Sequence, residues 1–323
     1  MHVLDTVKVQ IFLALATVVI LPLVLSSGIL ATEILIYAMV VAACNLLLGY
    51  TGLLSFGQGI FFGLGTYVAG VLTTRWQVPV PLVMLCAVVL GAVVATAVGW
   101  FSIRRQGVYF VMLTLAFSQM FYFLAYTFSD ITGGDNGLLG VPRPQLMGHT
   151  LDGPWSYYTY VALFFLVIFS LLLVVTRSTF GRTLLAIREN EGRAAAIGFP
   201  VRLFKIEAFA ISGAITALGG ALHAMLIGIA PLESINYHTS EMILVMTIIG
   251  GSTSLFGSVV GAGFYLVLAD TLSVIWPRWL LLLGLVLVAV ALFFQRGLWG
   301  LVERLWDGTI ARFATSKKEG PDV

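Results

Sequence analysis

A chain of 323 residues that is 59% hydrophobic and only 10% charged is not an ordinary soluble domain, where about a quarter of residues carry charge. Its mean hydropathy of +1.02 places it among polytopic membrane proteins. The net charge of +2 is too small to suggest nucleic acid or an acidic partner. Cys44 and Cys86 each lie in an apolar run with no Cys or His at ligand spacing, so neither a disulfide framework nor a metal site is expected.

Apolar runs that can cross a bilayer, at about 20 residues each, fall near 11–29, 32–49, 57–73, 82–103, 107–127, 156–176, 207–228, 241–257, 259–276 and 280–295. The fold class is therefore all-α, a polytopic membrane protein of about ten spans. Lys8 before the first run and Ser26-Ser27-Gly28 after it resemble a signal peptide. The length of the run and the immediate start of the next favour a retained anchor. The loop 177–205 carries Arg177, Arg182, Arg188, Arg193, Arg202 and Lys205. Arg104 and Arg105 mark a second loop, and Arg296, Arg304, Arg312, Lys317 and Lys318 mark the tail. Ten alternating spans put these and Lys8 on one side, 14 of 17 basic residues, and leave Arg75, Arg143 and Arg278 on the other. The basic side is expected to be cytoplasmic, with both termini on it. The segment 128–155, with Asp130, Asp135 and Asp152, is then the main external loop.

The expected division is a transmembrane domain over 1–295, which includes the loop 177–205, and a tail over 296–323. In the tail, Leu298, Leu301, Val302, Leu305, Trp306, Ile310 and Phe313 recur at helical spacing opposite Glu303, Arg304 and Asp307. This predicts a helix in the membrane interface, anchored by Trp299 and Trp306. A soluble helix packed on the loops is the alternative.

The stretch GLLSFGQGIFFGLG (52–65) resembles at first sight an ATPase signature or a phosphate loop. A nucleotide site would need a Walker A loop, and the dipeptide Gly-Lys occurs nowhere in the chain. A dinucleotide fingerprint would need G-x-G-x-x-G after a strand, whereas these glycines, at 57, 59, 63 and 65, lie between membrane spans. Close helix packing is the physical alternative, with Gly59 and Gly63 as a G-x-x-x-G pair. The run 49–52 fits either a helix break lining a polar cavity or a short turn before a tightly packed helix. Phe56-Gly57 and Gly63 are echoed at an offset of 200 by Phe256-Gly257 and Gly263. Such an echo marks corresponding helices in two structural halves, if it is more than coincidence.

Ionisable groups in spans are candidate pathway residues. Asp270 lies near the external end of the ninth run and faces a vestibule or the interface. His223, in the seventh run, is read first as a helix-to-helix bond. Asn45 and Gln119 suit the same bonding role. Glu207 is read as interfacial and Glu241 as solvated on the outside. Paired carboxylates, His-x-x-x-His and a nucleophile elbow are all missing at a plausible depth, so an enzyme is not expected.

The run NLLLGYTGLLSFGQGIFFGLGTYVAG (45–70) resembles the permease subunits of branched-chain amino-acid ABC importers, of the LivM type. RSTFGRTLLAIRENEGRAAAIG (177–198), IIGGSTSLFGSVVGA (248–262) and FFQRGLWGL (293–301) resemble the same family in the same order. Gln295 departs from the family pattern, where proline is expected. The resemblance implies no cofactor in this chain and ATP on partner subunits. It implies two cytoplasmic ABC ATPases, a second homologous permease, an extracytoplasmic solute-binding protein and a bacterial or archaeal inner membrane. It also implies a substrate such as leucine, isoleucine or valine, with urea, amides or other amino acids as the alternative. Glu191…Ala194-Ala195…Gly198 is similar to the coupling motif of ABC importers, which assigns ATPase coupling to Arg188, Glu191, Ala195 and Gly198. Read from its residues, 182–198 has apolar faces at Leu184, Leu185, Ile187, Ala194, Ala195 and Ile197, and a stop at Gly198 and Pro200. A basic loop resting on anionic lipid is the plainer reading. The substrate pathway is assigned to Gly57, Gln58, Gly59, Gly257, His223 and Asp270. The competing classes are an ion-coupled transporter or channel built on Asp270, and a membrane scaffold.

Overall fold

A computed structural model describes residues 7–146, 149–151, 153–252, 254–293 and 297–301. Each of the ten apolar runs becomes a helix: α1 (Val7–Val24), α2 (Gly28–Asn45), α3 (Gln58–Thr74), α4 (Val80–Ser102), α5 (Val108–Thr127), α7 (Pro154–Arg177), α10 (Val201–Ile227), α11 (Tyr237–Gly250), α12 (Leu255–Ile275) and α13 (Trp279–Phe293). Between them lie a single turn, α6 (Ser129–Thr132), and two helices of the basic loop, α8 (Thr179–Glu189) and α9 (Glu191–Ala196). Among the described residues, strands are confined to four residue pairs, β1 (Leu138–Leu139), β2 (Gln145–Leu146), β3 (His149–Thr150) and β4 (Ile229–Ala230). β1 pairs antiparallel with β4 and β2 with β3.

The count of ten is approximate in one physical sense. Among the described residues, six helices are long and apolar enough to cross a membrane alone: α2 with its extension to Thr51, α4, α5, α7, α10 and α12. α1 and α13 are shorter. α3 has 17 residues and α11 only 14, and both start inside the protein. Of the expected tail helix only 297–301 are described, and there Trp299 is buried against Phe256 instead of anchoring at the interface. Residues 302–323 and Gln295 lie outside the described residues, as do Met147, Gly148 and Asp152 of the expected external loop.

Chain chemistry places the ends. Ser27 accepts the Leu30 N–H and starts α2, and Pro154 opens α7 where a missing N–H costs nothing. Ser178 and Asn190 cap α8 and α9. α2 sits at the centre, with 83% of its membrane window buried against 22% for α5. α10 packs along α2, α3 and α4. Tyr157 of α7 donates its hydroxyl to the Leu222 carbonyl of α10, and Tyr158 donates to Val18 of α1.

The tightest approach is between α3 and α10. A Cβ on Gly65 would meet the Ala217 carbonyl, and one on Gly220 would meet the Phe62 carbonyl. Between helices in lipid, apolar burial gains little, so backbone proximity supplies the attraction. Gly59 and Gly63, the expected helix-packing pair, instead face the 3-10 turn at Ile235, Asn236 and the first turn of α11 at Ser240. Replacing Gly65 or Gly220 by valine is expected to cost about 1–3 kcal/mol through overpacking. Thermal unfolding of the detergent-solubilised chain reads this as a lowered midpoint for both variants.

Candidate functional site

Two breaks flank the last turns of α2. The first follows directly. α2 widens into a π-helical turn, Leu46–Thr51, and the chain reverses at Gly52, where φ is +73°. Residues 53–57 then climb back without helical structure. The Phe56 N–H donates to Thr114 Oγ1 at 3.2 Å, Gly57 packs near Phe209, and α3 begins at Gln58.

Hydrogen bonds fix how far the chain has climbed. Gln58 Nε2 donates to Ser212 Oγ at 3.0 Å, and Thr216 Oγ1 donates to Gln58 Oε1 at 2.8 Å. Ser212 Oγ donates on to the Ala43 carbonyl at 2.7 Å. Ser212 and Thr216 bracket the middle of the 27-residue α10, which at 1.5 Å per residue spans about 40 Å. Gln58 therefore sits near the membrane mid-depth, fully buried and bonded on both sides of its amide.

The second break lies at 251–254, between α11 and α12. Asn45 Nδ2 donates to the Ser254 carbonyl at 3.0 Å and to Ser258 Oγ at 3.3 Å, and Gln10 Nε2 donates to Ser254 Oγ at 3.1 Å. Gly257 lies against the backbone of Gly250 and Gly251. The second segment thus bonds α2 directly at Asn45, and the first is tied to Ala43, two residues earlier, through Ser212 of α10.

A descending segment completes the arrangement. α10 ends at Gly228, with φ +76°, and β4 pairs with β1. The chain then runs down the side of α3. Ala230 lies against Gly70, Ile235 against Gly63, and Asn236 and Ser240 against Gly59. From Gly70 to Gly59 is about 17 Å of helix. The Gly59 N–H donates to Ser240 Oγ at 2.7 Å, so α11 also starts near mid-depth. The reading of Glu241 as starting its helix on the outside is changed by this descent, while its half-exposed side chain agrees with solvation. Glu241 adjoins Ser240 and shares the depth of Gly59.

Beside the start of α11 is a cavity of about 620 Å³, lined among others by Glu233, Asn236, His238, Glu241, Tyr265 and Trp279. His238 Nδ1 and Glu241 Oε2 are 3.6 Å apart, with side chains 67% and 55% exposed. Of the six expected pathway residues, Gly59 meets Asn236 and Ser240, the adjacent Gln58 and Gly57 face α10 at Ser212, Thr216 and Phe209, and Gly257 belongs to the second break. His223 is on α10, its Nε2 3.8 Å from Glu33 Oε1 of α2, and its ring lies between Tyr37 and Phe62. Asp270 is exposed on α12 and does not line this cavity.

The basic loop folds against the membrane helices. Arg188 donates to the Gly49 carbonyl of the π-helical turn. Glu191 Oε2 meets Lys205 Nζ at 2.6 Å. Ile187, Ala194 and Val201 form a small core beneath α8 and α9. Ala195, Ile197, Gly198 and Phe199 are exposed, and Gly198 holds φ +94°. So Arg188 and Glu191 bond to the chain's own helices, while Ala195 and Gly198 face outward. Among the described residues no group of three His, Cys, Asp or Glu side chains is arranged to hold a metal.

Sequence reasoning missed Glu33, Glu233, His238, Ser212, Thr216 and Ser240. Glu33 was visible as a charge inside an apolar run. The brevity of the apolar part after Asn236 also signalled a helix that does not cross.

The family model for the permease component of branched-chain amino acid transport systems matches residues 27–291. The high-affinity branched-chain amino acid transport system permease protein LivM of Escherichia coli K12 is 27% identical over 321 residues, covering 91% of this chain and 76% of the relative. The L-arabinose transport system permease protein AraH of the same strain is 33% identical over 167 residues, 50% of this chain and 47% of the relative. The autoinducer 2 import system permease protein LsrC of E. coli O9:H4 is 29% identical over 150 residues, 44% of each chain. No solved structure matches the chain.

Gln58→Leu leaves the Thr216 hydroxyl without its acceptor in a buried site and is expected to cost about 1–3 kcal/mol. Adding Thr216→Val removes the orphaned group and should return part of that loss. Unfolding midpoints of the two variants in detergent measure both effects.

Proposed function

The chain belongs to the family of permease components of branched-chain amino acid transport systems, and from that premise we propose that it is the membrane-spanning subunit of an ABC importer for leucine, isoleucine or valine. The observation that carries the substrate reading is the extent of similarity. The LivM alignment runs through 91% of the chain, whereas AraH and LsrC align over half or less. Under this reading the chain works with two cytoplasmic ABC ATPases, a second homologous permease and an extracytoplasmic binding protein. It lies in a bacterial or archaeal inner membrane with its basic end cytoplasmic and both termini there, as the distribution of basic residues supports. ATP is bound and hydrolysed on the partner subunits.

The cycle follows from differential affinity for two access states. A loaded binding protein docks on the outer loops. ATP draws the ATPase pair together. The outward-facing Ala195–Phe199 surface seats in the ATPase, and Arg188 and Glu191 carry its movement to α2 and α10. Substrate passes where α3 and α11 both begin at mid-depth, beside Gly57 and Gly59.

Valine at position 198 cannot hold φ +94° without strain, and open space surrounds the residue, so the backbone is the only thing disturbed. Gly198→Val is expected to lower ATP-driven leucine uptake by roughly tenfold or more, for a lost interface of about 1.4 kcal/mol or more, while the chain still inserts. Copurification of the ATPase chains from native membranes should fall with it. Uptake that survives Gly198→Val but is abolished by Asp270→Asn would favour the ion-coupled transporter.

A further inference from the structure

We propose that the cavity beside the start of α11 is this chain's share of an aqueous passage, and that Glu233 and Glu241 bind the ammonium group of the solute crossing it. This rests on the importer reading and adds the chemistry of the passage.

Depth supplies the first reason. Ser240 is held at the level of Gly59, and Gly59 follows Gln58, which is bonded between the middle turns of α10. Glu241 adjoins Ser240, and both it and His238 are more than half exposed. An ionised side chain facing lipid at the bilayer centre costs about 2.5–3.5 kcal/mol or more. A face that exposes the Glu241 carboxylate and the His238 imidazole there, with Glu233 exposed higher on the same descent between the levels of Gly70 and Gly63, is stable only against water or polar solute.

Charge supplies the second. Among the described residues no Lys or Arg lines the cavity. His238 lies beside Glu241, and among the described residues no basic group is within ion-pair distance of Glu233. The cavity therefore keeps at least one net negative charge, which draws a cation and repels free anions. Its other walls are mostly apolar, with Met242, Val245 and Trp279 among them. A volume of about 620 Å³ lies within the range of small-molecule sites. That pairing of acid and apolar wall suits a small amphiphile with an ammonium head. An uncharged sugar would leave the carboxylates without a partner.

The test uses the assembled importer in native membrane vesicles. Met242→Cys is introduced after Cys44→Ala and Cys86→Ala, and is reacted with an ethylammonium or an ethylsulfonate methanethiosulfonate reagent. The ammonium reagent should react roughly tenfold faster, and adding Glu233→Gln and Glu241→Gln should bring the two rates close together. Failure of both reagents, while Gly140→Cys on the outer loop reacts, would mean a face covered by lipid or protein and would overturn the proposal. Equal rates for the two reagents would overturn the ammonium assignment. Leucine uptake by the same vesicles is scored separately. Uptake without charge preference sinks only this inference, and charge preference without leucine uptake sinks the substrate reading instead.

Discussion

A peptide N–H freed at a helix start inside a bilayer has no water to bond, and each such group left alone costs several kcal/mol. The centre of this protein answers that constraint. α3 begins at mid-depth, and its Gly59 N–H is taken by Ser240. Ser55 Oγ accepts the Gly57 N–H, and Thr114 accepts that of Phe56. The acceptors come from α11, from the break itself and from α5, so the break persists only while these elements stay packed. Gln58 ties the same point to α10, and Ser212 ties α10 to α2. The buried polar groups here are stitches between helices rather than ligands left open.

That arrangement also ties the basic loop to the membrane centre. Arg188 reaches the Gly49 carbonyl in a π-helical turn, a local widening that loosens the helix ladder. One turn further along α2, Asn45 bonds the second break, and Ala43 receives Ser212 from beside the first. Under the importer reading, motion of α8 is delivered to α2 at its least regular turn and reaches both breaks within about 12 Å of helix. Glu191 and Lys205 make a parallel tie to α10.

The helices were legible from apolar runs because lipid forces satisfied backbone and apolar surface into long segments. The stop at Gly198 and Pro200 was legible as well, since α9 ends at Ala196 and Gly198 takes a positive φ, whereas the caps at Ser27, Ser178 and Asn190 came only with the fold. Hydropathy does not report depth, and there the reading failed. The eighth run, 241–257, was read as a crossing from outside by alternation of the spans, yet the chain before it, 229–236, descends in extended and 3-10 form along α3. Glu241 was misplaced as a result. The family motif over 45–70 identified the region of the first break, since glycines crowd where backbone meets backbone. The partners of that region, Ser212, Thr216 and Ser240, lie about 150 to 180 residues away, and no local pattern pairs them. Arg188 and Glu191 were found by motif, but their bonds to Gly49 and Lys205 required the fold.

The most direct measurement is a cryo-electron microscopy structure of the chain in a lipid nanodisc, at a resolution that shows side chains and the edges of the bilayer. The account predicts that the starts of α3 and α11 meet within about 5 Å of the bilayer centre, a few residues of helix, with Ser240 Oγ at hydrogen-bonding distance from the Gly59 nitrogen. A continuous α11 starting at the outer interface, with Glu241 among the headgroups and Gly59 bonded elsewhere, would contradict it.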